Sequence, residues 1–424
     1  MKKEYDVIIV GSGPAGLGAA FHIAQNSTQS VLILDKHKIS TGGLRNDCKQ
    51  NYSYPVGFPK KLWAPDEAAR LLKIVEQHLQ PAFTRRNNID KYIKRAGKLG
   101  VELLKIKQSH VGTDKAGALI NGLIKSLTSM GVTVLHGTEA ASIDYSSGKL
   151  TLAGKKTPYT FNDLVLAPGR AGFRWLQSCM DSLKIPYNDN IVDVGIRIEA
   201  REEHYRVVRD YYDPKFIFPD DVRTFCTNSG AAYVVNEKYE HYYSVNGHSL
   251  STERRRNGLI NFGVLKTIEL TDPVVSGHNF AEILGRMAME LSGGQPMMQR
   301  VGDFRMGKRS KKATFNSDLY DFRPTLKKAT PGDISLAVPA KILRDIWKSM
   351  KMLDTIIPGI LHPSSIIYYP EIKTYANKPA FINDNFEVRD HIFMIGDGAG
   401  TSRGITAAWA SGIRAAEGIL GKCA

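Results

Sequence analysis

The apolar positions of this chain change rhythm twice. Residues 5–10 (YDVIIV) form an unbroken apolar run, as a strand buried on both faces of a parallel sheet requires. A glycine-rich turn follows, then a helix reaching about residue 26, then a second apolar run, 30–35 (SVLILD). Together they predict a strand–helix–strand unit of about 30 residues. Residues 36–63 are irregular and too long for a simple connection, which marks a functional loop. Helical spacing returns over 65–79, with Pro65 at the start and Asp66 and Glu67 in the first turn, and over 113–130, which leads into a strand at 132–137. Residues 140–160 predict a small antiparallel meander, and 160–169 (TFNDLVLAPG) another buried strand ending in a glycine turn.

From about 186 to 380 alternating strands mix with helices near 280–291 and 339–353, and the buried-strand style comes back only at 391–400 (HIFMIGDGAG). A chain of 424 residues exceeds the size of a single core. The expected organisation is α/β: a discontinuous nucleotide-binding domain over 1–185, with a helical excursion at about 46–108, resumes at 385–424 around an inserted mixed α+β domain at 186–384.

Composition narrows the class only a little. Hydrophobic content of 42% and charged content of 23% suit a globular protein. The 57 Lys and Arg against 42 Asp and Glu give a net charge of +15, which favours anionic partners. The densest basic runs, 306–315 (MGKRSKKATF) and 85–98, lack interleaved aromatic residues, so a solvated basic face is expected and nucleic acid is not an expected partner. Cys48, Cys179, Cys226 and Cys423 form no CxxC pair and no zinc spacing, so no metal is expected and the thiols suit a reducing compartment. With no leader before the first strand and no apolar run of about 18 residues, a cytoplasmic protein is expected.

The chemistry begins with Gly11, Gly13 and Gly16, a G-x-G-x-x-G placed after a strand and opening a helix at Pro14 and Ala15. The first glycine permits the tight turn, the second lets backbone N–H groups approach a pyrophosphate, and the third lets helix and strand pack closely. Asp35, 19 residues beyond Gly16 and followed by Lys36, stands where an acid takes ribose hydroxyls. These features together predict dinucleotide binding.

Other segments resemble the two-dinucleotide-fold flavoproteins related to glutathione reductase: the doublet Gly42-Gly43, the strand TFNDLVLAPG containing Ala167 and Gly169, and the closing HIFMIGDGAG with Gly396 and Asp397. The resemblance implies FAD, with Asp397 on a ribityl hydroxyl and the following helix pointing its N-terminus, Gly404 and Ile405, at the flavin and pyrophosphate. It also adds Ala140 to the cofactor-binding set. The stretches SHVGTDKAG (109–117), VGIRIEA (194–200), VNGHSLSTERRRNG (245–258), EIKTYANKPAFI (371–382) and GDGAGTSRGITAAWASGI (396–413) are similar to a group of bacterial and archaeal FAD-dependent dehydrogenases. Asp397 replaces that group's Glu and Lys373 its Arg, which leaves the FAD inference standing but not a substrate.

The chain lacks a second G-x-G-x-x-G and a redox cysteine pair, so the inserted domain is expected to be a substrate lid and not an NAD(P)H domain. Candidate catalytic groups are Arg45, which could fork a substrate carboxylate or brace its loop; His110, an acid–base or structural histidine; and Glu371, Lys373 and Tyr375, which share one face of a strand, either walling a flavin or facing solvent. Cys48 reads as a plain thiol, Thr113 or Asp114 as the cap of the 113–130 helix, and Arg403 and His248 as weaker candidates. The expected activity is an FAD-dependent dehydrogenase or oxidase removing a hydride from a small organic substrate, with oxygen, a quinone or a carrier protein as acceptor. The alternatives are an NAD(P)H-fed reductase or monooxygenase, and a flavin-containing RNA-modifying protein.

Overall fold

The computed structural model describes residues 3–422 apart from 40–41, 156, 190, 252–255, 271–275, 321 and 375–376. It divides into two units. The first comprises Met1–Phe83, Ile106–Asp189 and Tyr375–Ala424, and the second Thr84–Lys105 and Asn190–Thr374.

The first unit is built on a sheet with the order Glu387–Arg389, Ile392–Met394, Tyr159–Leu166, Glu4–Val10, Val31–Asp35, Thr133–His136. All its pairings from Ile392–Met394 to Thr133–His136 are parallel. The central strand is Glu4–Val10, and Val7, Ile8 and Ile9 are fully buried because both faces of the sheet are covered, which is why the sequence runs apolar without alternation. Four strands end level with one another: Val10 pairs with Leu34 and with Leu166, and Leu166 with Met394. Three of these strands run directly into the glycine turns, and the other ends at Asp35. The antiparallel meander appears as the hairpin Ala140–Asp144 and Lys149–Leu152 joined to Tyr159–Leu166.

Helix Pro14–Asn26 and the last helix, Ile405–Gly421, cross at backbone contact. A Cβ on Gly18 would lie 2.3 Å from the Trp409 carbonyl oxygen, and one on Gly412 2.0 Å from that of Ala15. The small-residue composition of the last helix therefore serves packing as well as any ligand.

The second unit is a largely antiparallel sheet of nine strands. Its order is Thr330–Pro331, Met297–Arg300, Ile366–Thr374, Ile191–Arg201, Leu259–Glu269, Val222–Lys238, Phe216–Phe218, Glu102–Leu103, with Tyr243–Leu250 also paired to Val222–Lys238. The helices Gly277–Ser292 and Ala340–Ile356 belong to it. Two sequence boundaries need correction. Residues 84–105 belong with the second unit and not with a helical excursion of the first, because Glu102–Leu103 pairs with Phe216–Phe218. The inserted segment is also shorter than expected at both ends, since residues 186–189 and 377–384 lie in the first unit, where Lys378–Pro379 pairs with Tyr187–Asn188. No helix among the described residues is long and apolar enough to cross a membrane.

Candidate functional site: a glycine cradle and a buried Asp–His pair

At the level where the four strands end, their successors interlock. The Gly11 N–H donates to Leu34 O (2.7 Å), the Ala167 N–H to Val10 O (2.8 Å) and the Ile395 N–H to Leu166 O (3.0 Å). Gly11 has φ +110°, and a Cβ there would lie 2.1 Å from Ala167 O, while one on Gly16 would lie 1.9 Å from Gly11 O. Neither position admits a side chain. Gly13 differs: no atom stands within 4 Å of where its Cβ would be, and the same holds at Gly42, Gly169 and Gly404. These four glycines leave open space at turns and helix starts, where backbone N–H groups attract phosphate. The closing loop completes the ring, since a Cβ on Gly396 would lie 3.0 Å from Ala15 Cβ, one on Gly398 2.6 Å from Gly169 O, and one on Gly43 3.9 Å from Ile405 Cγ1.

The acids sit at either side of this ring. Asp35 Oδ2 accepts from the Ser12 N–H (2.9 Å) and the Ser12 hydroxyl (2.6 Å), and Oδ1 from the His37 N–H (2.8 Å). It ties the first glycine turn to the end of its neighbouring strand, and Lys36 beside it is exposed. The Thr138 N–H donates to Asp35 O (2.8 Å), which brings the loop before Ala140 alongside. Asp397 Oδ1 accepts from Ser402 Oγ (2.8 Å) and the Gly404 N–H (3.1 Å) and so shapes the entry to the last helix. Buried Ala167 and Ile405 and the helix start at Pro14 complete the predicted set.

The irregular loop docks on this framework. Trp63 Nε1 donates to Thr401 O (2.7 Å), and the Arg403 N–H to Gly57 O (2.8 Å). Arg414 donates to Leu62 O (2.7 Å) with its guanidinium 4.7 Å from the Trp63 ring centre. Strand Lys49–Asn51 pairs with Gln108–His110, bringing Lys49 opposite His110. Asp47 and Cys48, just ahead of it, both have left-handed backbones, φ 65° and 52°. Such strain in successive non-glycine residues is held by its surroundings and concentrates at functional sites. Here the Asp47 N–H donates to Thr113 Oγ1 (2.9 Å), the Gly112 N–H to Asp47 O (3.0 Å), and Arg45 Nη1 to Thr113 O (2.9 Å). Helix Thr113–Ser129 thus has Gly112 as its N-cap with no side-chain cap from either Thr113 or Asp114, and Thr113 braces the loop instead.

The product of this bracing is an ion cluster. His110 Nε2 lies 2.5 Å from Asp47 Oδ1, and Lys49 Nζ lies 3.2 Å from Oδ2. Burial alone would raise the Asp47 carboxyl, but Lys49 and His110 outweigh it and hold the group well below the ordinary carboxylate range. The contact between Asp47 and His110 is what the sequence does not announce: 63 positions separate the two, and no local pattern links them. Arg45 is brought to this cluster as a brace. Cys48 is fully buried and burial pushes its thiol up to about 11, the environment of an inert thiol.

Glu371 and Lys373 lie in the second unit, on a strand that is buried along its whole length. They are not on a solvent-facing strand. Glu371 pairs with Arg197 (2.6 Å) and Lys373 with Glu237 (2.6 Å), so each is engaged within its own sheet. Tyr375 lies outside the described residues. His248 stands on Tyr243–Leu250, in the second unit.

Residues 5–186 match the profile of the family described as pyridine nucleotide-disulphide oxidoreductase, and residues 194–374 that described as FAD-dependent protein, C-terminal domain-like. An uncharacterized protein of Clostridium beijerinckii is 24% identical over 459 residues, covering 98% of this chain and 80% of its own. Among solved structures, FAD-bound L-alpha-glycerophosphate oxidase from Mycoplasma pneumoniae aligns over 99% of this chain and 95% of its own, with 10% identity and a TM-score of 0.44. AlpK aligns over 98% of this chain at 13% identity and a TM-score of 0.38, and the chain spans 61% of its length. The family profiles and the glycine cradle agree. FAD is the cofactor, and the protein is an FAD-dependent oxidoreductase with a Rossmann-like FAD-binding domain and a second domain.

Proposed function

We propose that the protein is a dehydrogenase or oxidase of the glutathione-reductase-like, two-dinucleotide-fold type that takes a hydride from a small organic substrate. The observation that carries the reading is the His110–Asp47 pair, strained into place beside the cradle. FAD supplies the hydride acceptor. The open space at Gly13 receives its pyrophosphate, Asp35 its ribose hydroxyls and Asp397 its ribityl chain. His110 handles the substrate proton. With Asp47 ionised, the proton on Nε2 is held toward the carboxylate, so the neutral ring carries its basic lone pair on Nδ1. Asp47 positions the ring and stabilises the imidazolium once it forms. Arg45, whose guanidinium makes one hydrogen bond among the described residues and offers further N–H groups to a carboxylate, and the net charge of +15 favour an anionic substrate.

A panel of small 2-hydroxy acids, amino acids and amines mixed anaerobically with the yellow holoprotein tests the reading. At least one should bleach the flavin band, and His110→Ala should slow that bleaching by about 100-fold or more while FAD stays bound. Bleaching indifferent to His110 would remove its role. A panel that leaves the flavin oxidised, when NADPH reduces it, would move the assignment to the NAD(P)H-fed alternative, which the pyridine-nucleotide description of residues 5–186 favours.

A further inference from the structure

The second unit holds a cleft of about 410 Å³ that uses none of the residues assigned above, lined by Arg305, Trp347, Lys351, Asp354 and His362 among others. Its volume lies within the range of roughly 300–1,000 Å³ that small-molecule sites occupy. Arg305 and Lys351 are exposed, and among the described residues neither has an acidic partner. Asp354, the acid in the wall, is turned to its own loop: its Oδ1 accepts from the Gly359 N–H (3.1 Å) and the Leu361 N–H (3.0 Å). The half-buried Trp347 ring is fixed edge-on by Phe304, with centroids 4.7 Å apart and planes at 61°.

His362 adds a donor. Its Nδ1 lies 3.3 Å from the Ser364 backbone nitrogen, which can only donate, and 2.7 Å from Ser364 Oγ. The neutral ring therefore carries its proton on Nε2. Beyond Arg305 the chain continues into the densest basic run of the sequence, with Lys308, Arg309, Lys311 and Lys312 all exposed. That run is anchored: the Lys308 N–H donates to Asp303 O (2.9 Å), and the Ser310 N–H to Gly332 O (3.0 Å). The sequence shows no aromatic residue interleaved with these cations. The fold supplies one, by bringing Trp347 from a distant helix to the same cleft as Arg305.

We propose that this cleft binds a nucleoside phosphate, the base stacking on Trp347 and the phosphate meeting Arg305, Lys351 and His362. A flat ring beside paired cations suits a base joined to a phosphate, and stacking on an indole tolerates any base. The ligand is either a free mononucleotide or one residue of a single-stranded RNA, whose neighbouring phosphates would follow the cations from 308 to 312.

The test uses the FAD-loaded protein, with AMP in calorimetry and a short fluorescein-labelled oligo(U) in anisotropy. Arg305→Ala combined with Lys351→Ala alters only exposed side chains, so FAD content and melting temperature should hold while affinity falls about tenfold or more. Binding of both probes with that dependence assigns a free nucleotide. Binding of the oligonucleotide alone assigns a strand, and then Lys308→Ala with Arg309→Ala should lower the salt slope by about 0.7 per cation removed. Binding of neither probe, binding indifferent to the double variant, or capture of anionic vesicles in place of both would overturn the proposal.

Discussion

The two units treat charge in opposite ways. In the first, glycines hold space open, and the acids Asp35 and Asp397 stand at the rim of that space on backbone N–H groups. In the second, glycines let side chains close in. A Cβ on Gly247 would lie 2.5 Å from Arg197 Nη1, and one on Gly263 2.9 Å from Glu371 Oε2. Arg197, fully buried, donates to Glu371 (2.6 Å) and Asn261 (2.7 Å), and Glu199 is bonded by Thr325 and by Tyr368 (2.6 Å). The first unit holds open space for a ligand; the buried charges in the core of the second unit's sheet are paired or hydrogen-bonded within that sheet. A buried network of that kind gives little net stability yet is costly to break.

Changes at the cradle should have the largest effect. Gly11→Val places a side chain 2.1 Å from Ala167 O at φ +110°, so FAD content per protein, read from absorbance, should fall below about a tenth. Wild-type flavin content in that variant would break the comparison on the first unit's side.

Arg197→Met should cost about 3 kcal/mol in denaturant unfolding, because it leaves the buried Glu371 carboxylate with only the Lys373 ammonium, 3.8 Å away and already paired with Glu237, to compensate it. Adding Glu371→Leu should restore most of the loss. A double variant as unstable as the single one would show that the pair does more than compensate itself.

Asp47→Asn should cost about 2 kcal/mol, less than Arg197→Met because the Asp47 partners retain some exposure. The pH dependence has a definite sign. The Asp47 pKa is depressed in the folded state, so its stabilising contribution is full above the ordinary carboxylate value and is lost as pH falls through the folded one. The variant should therefore lose less stability than wild type on acidification. An equal acid loss in both proteins would contradict the cluster.

The smallest effect is expected at Cys48. With its thiol pushed up to about 11 and no exposure, it should not react with a thiol reagent at neutral pH, and Cys48→Ala should leave flavin reduction unchanged.

These contrasts follow what was legible in the sequence. The cradle was readable because its demands are local: a tight turn, an open approach and a close helix crossing each need glycine at a fixed spacing, and Asp35 falls at the end of the next strand. The strands around it were readable because double-sided burial leaves an apolar run. The alternation of Glu371 and Lys373 gave the strand but not its purpose, since exposed, ligand-facing and internally paired charges share one pattern. Only the register that sets Gly195 opposite Glu371, with Arg197 two residues on, shows the pairing. Asp47 and His110 were each visible, but their contact depends on two left-handed residues that no local signal announces. The same limit applied to residues 84–105, whose helical pattern carries no hint that Glu102–Leu103 joins a distant sheet.

The most direct test of the account concerns where the hydride comes from. The yellow holoprotein is mixed anaerobically with NADH and then NADPH while the flavin band is followed, with dithionite as the control reductant. The account predicts that the band persists with both nicotinamides and disappears with dithionite, leaving the organic substrate as the electron donor. Rapid bleaching by either nicotinamide would contradict it and make the protein a reductase or monooxygenase.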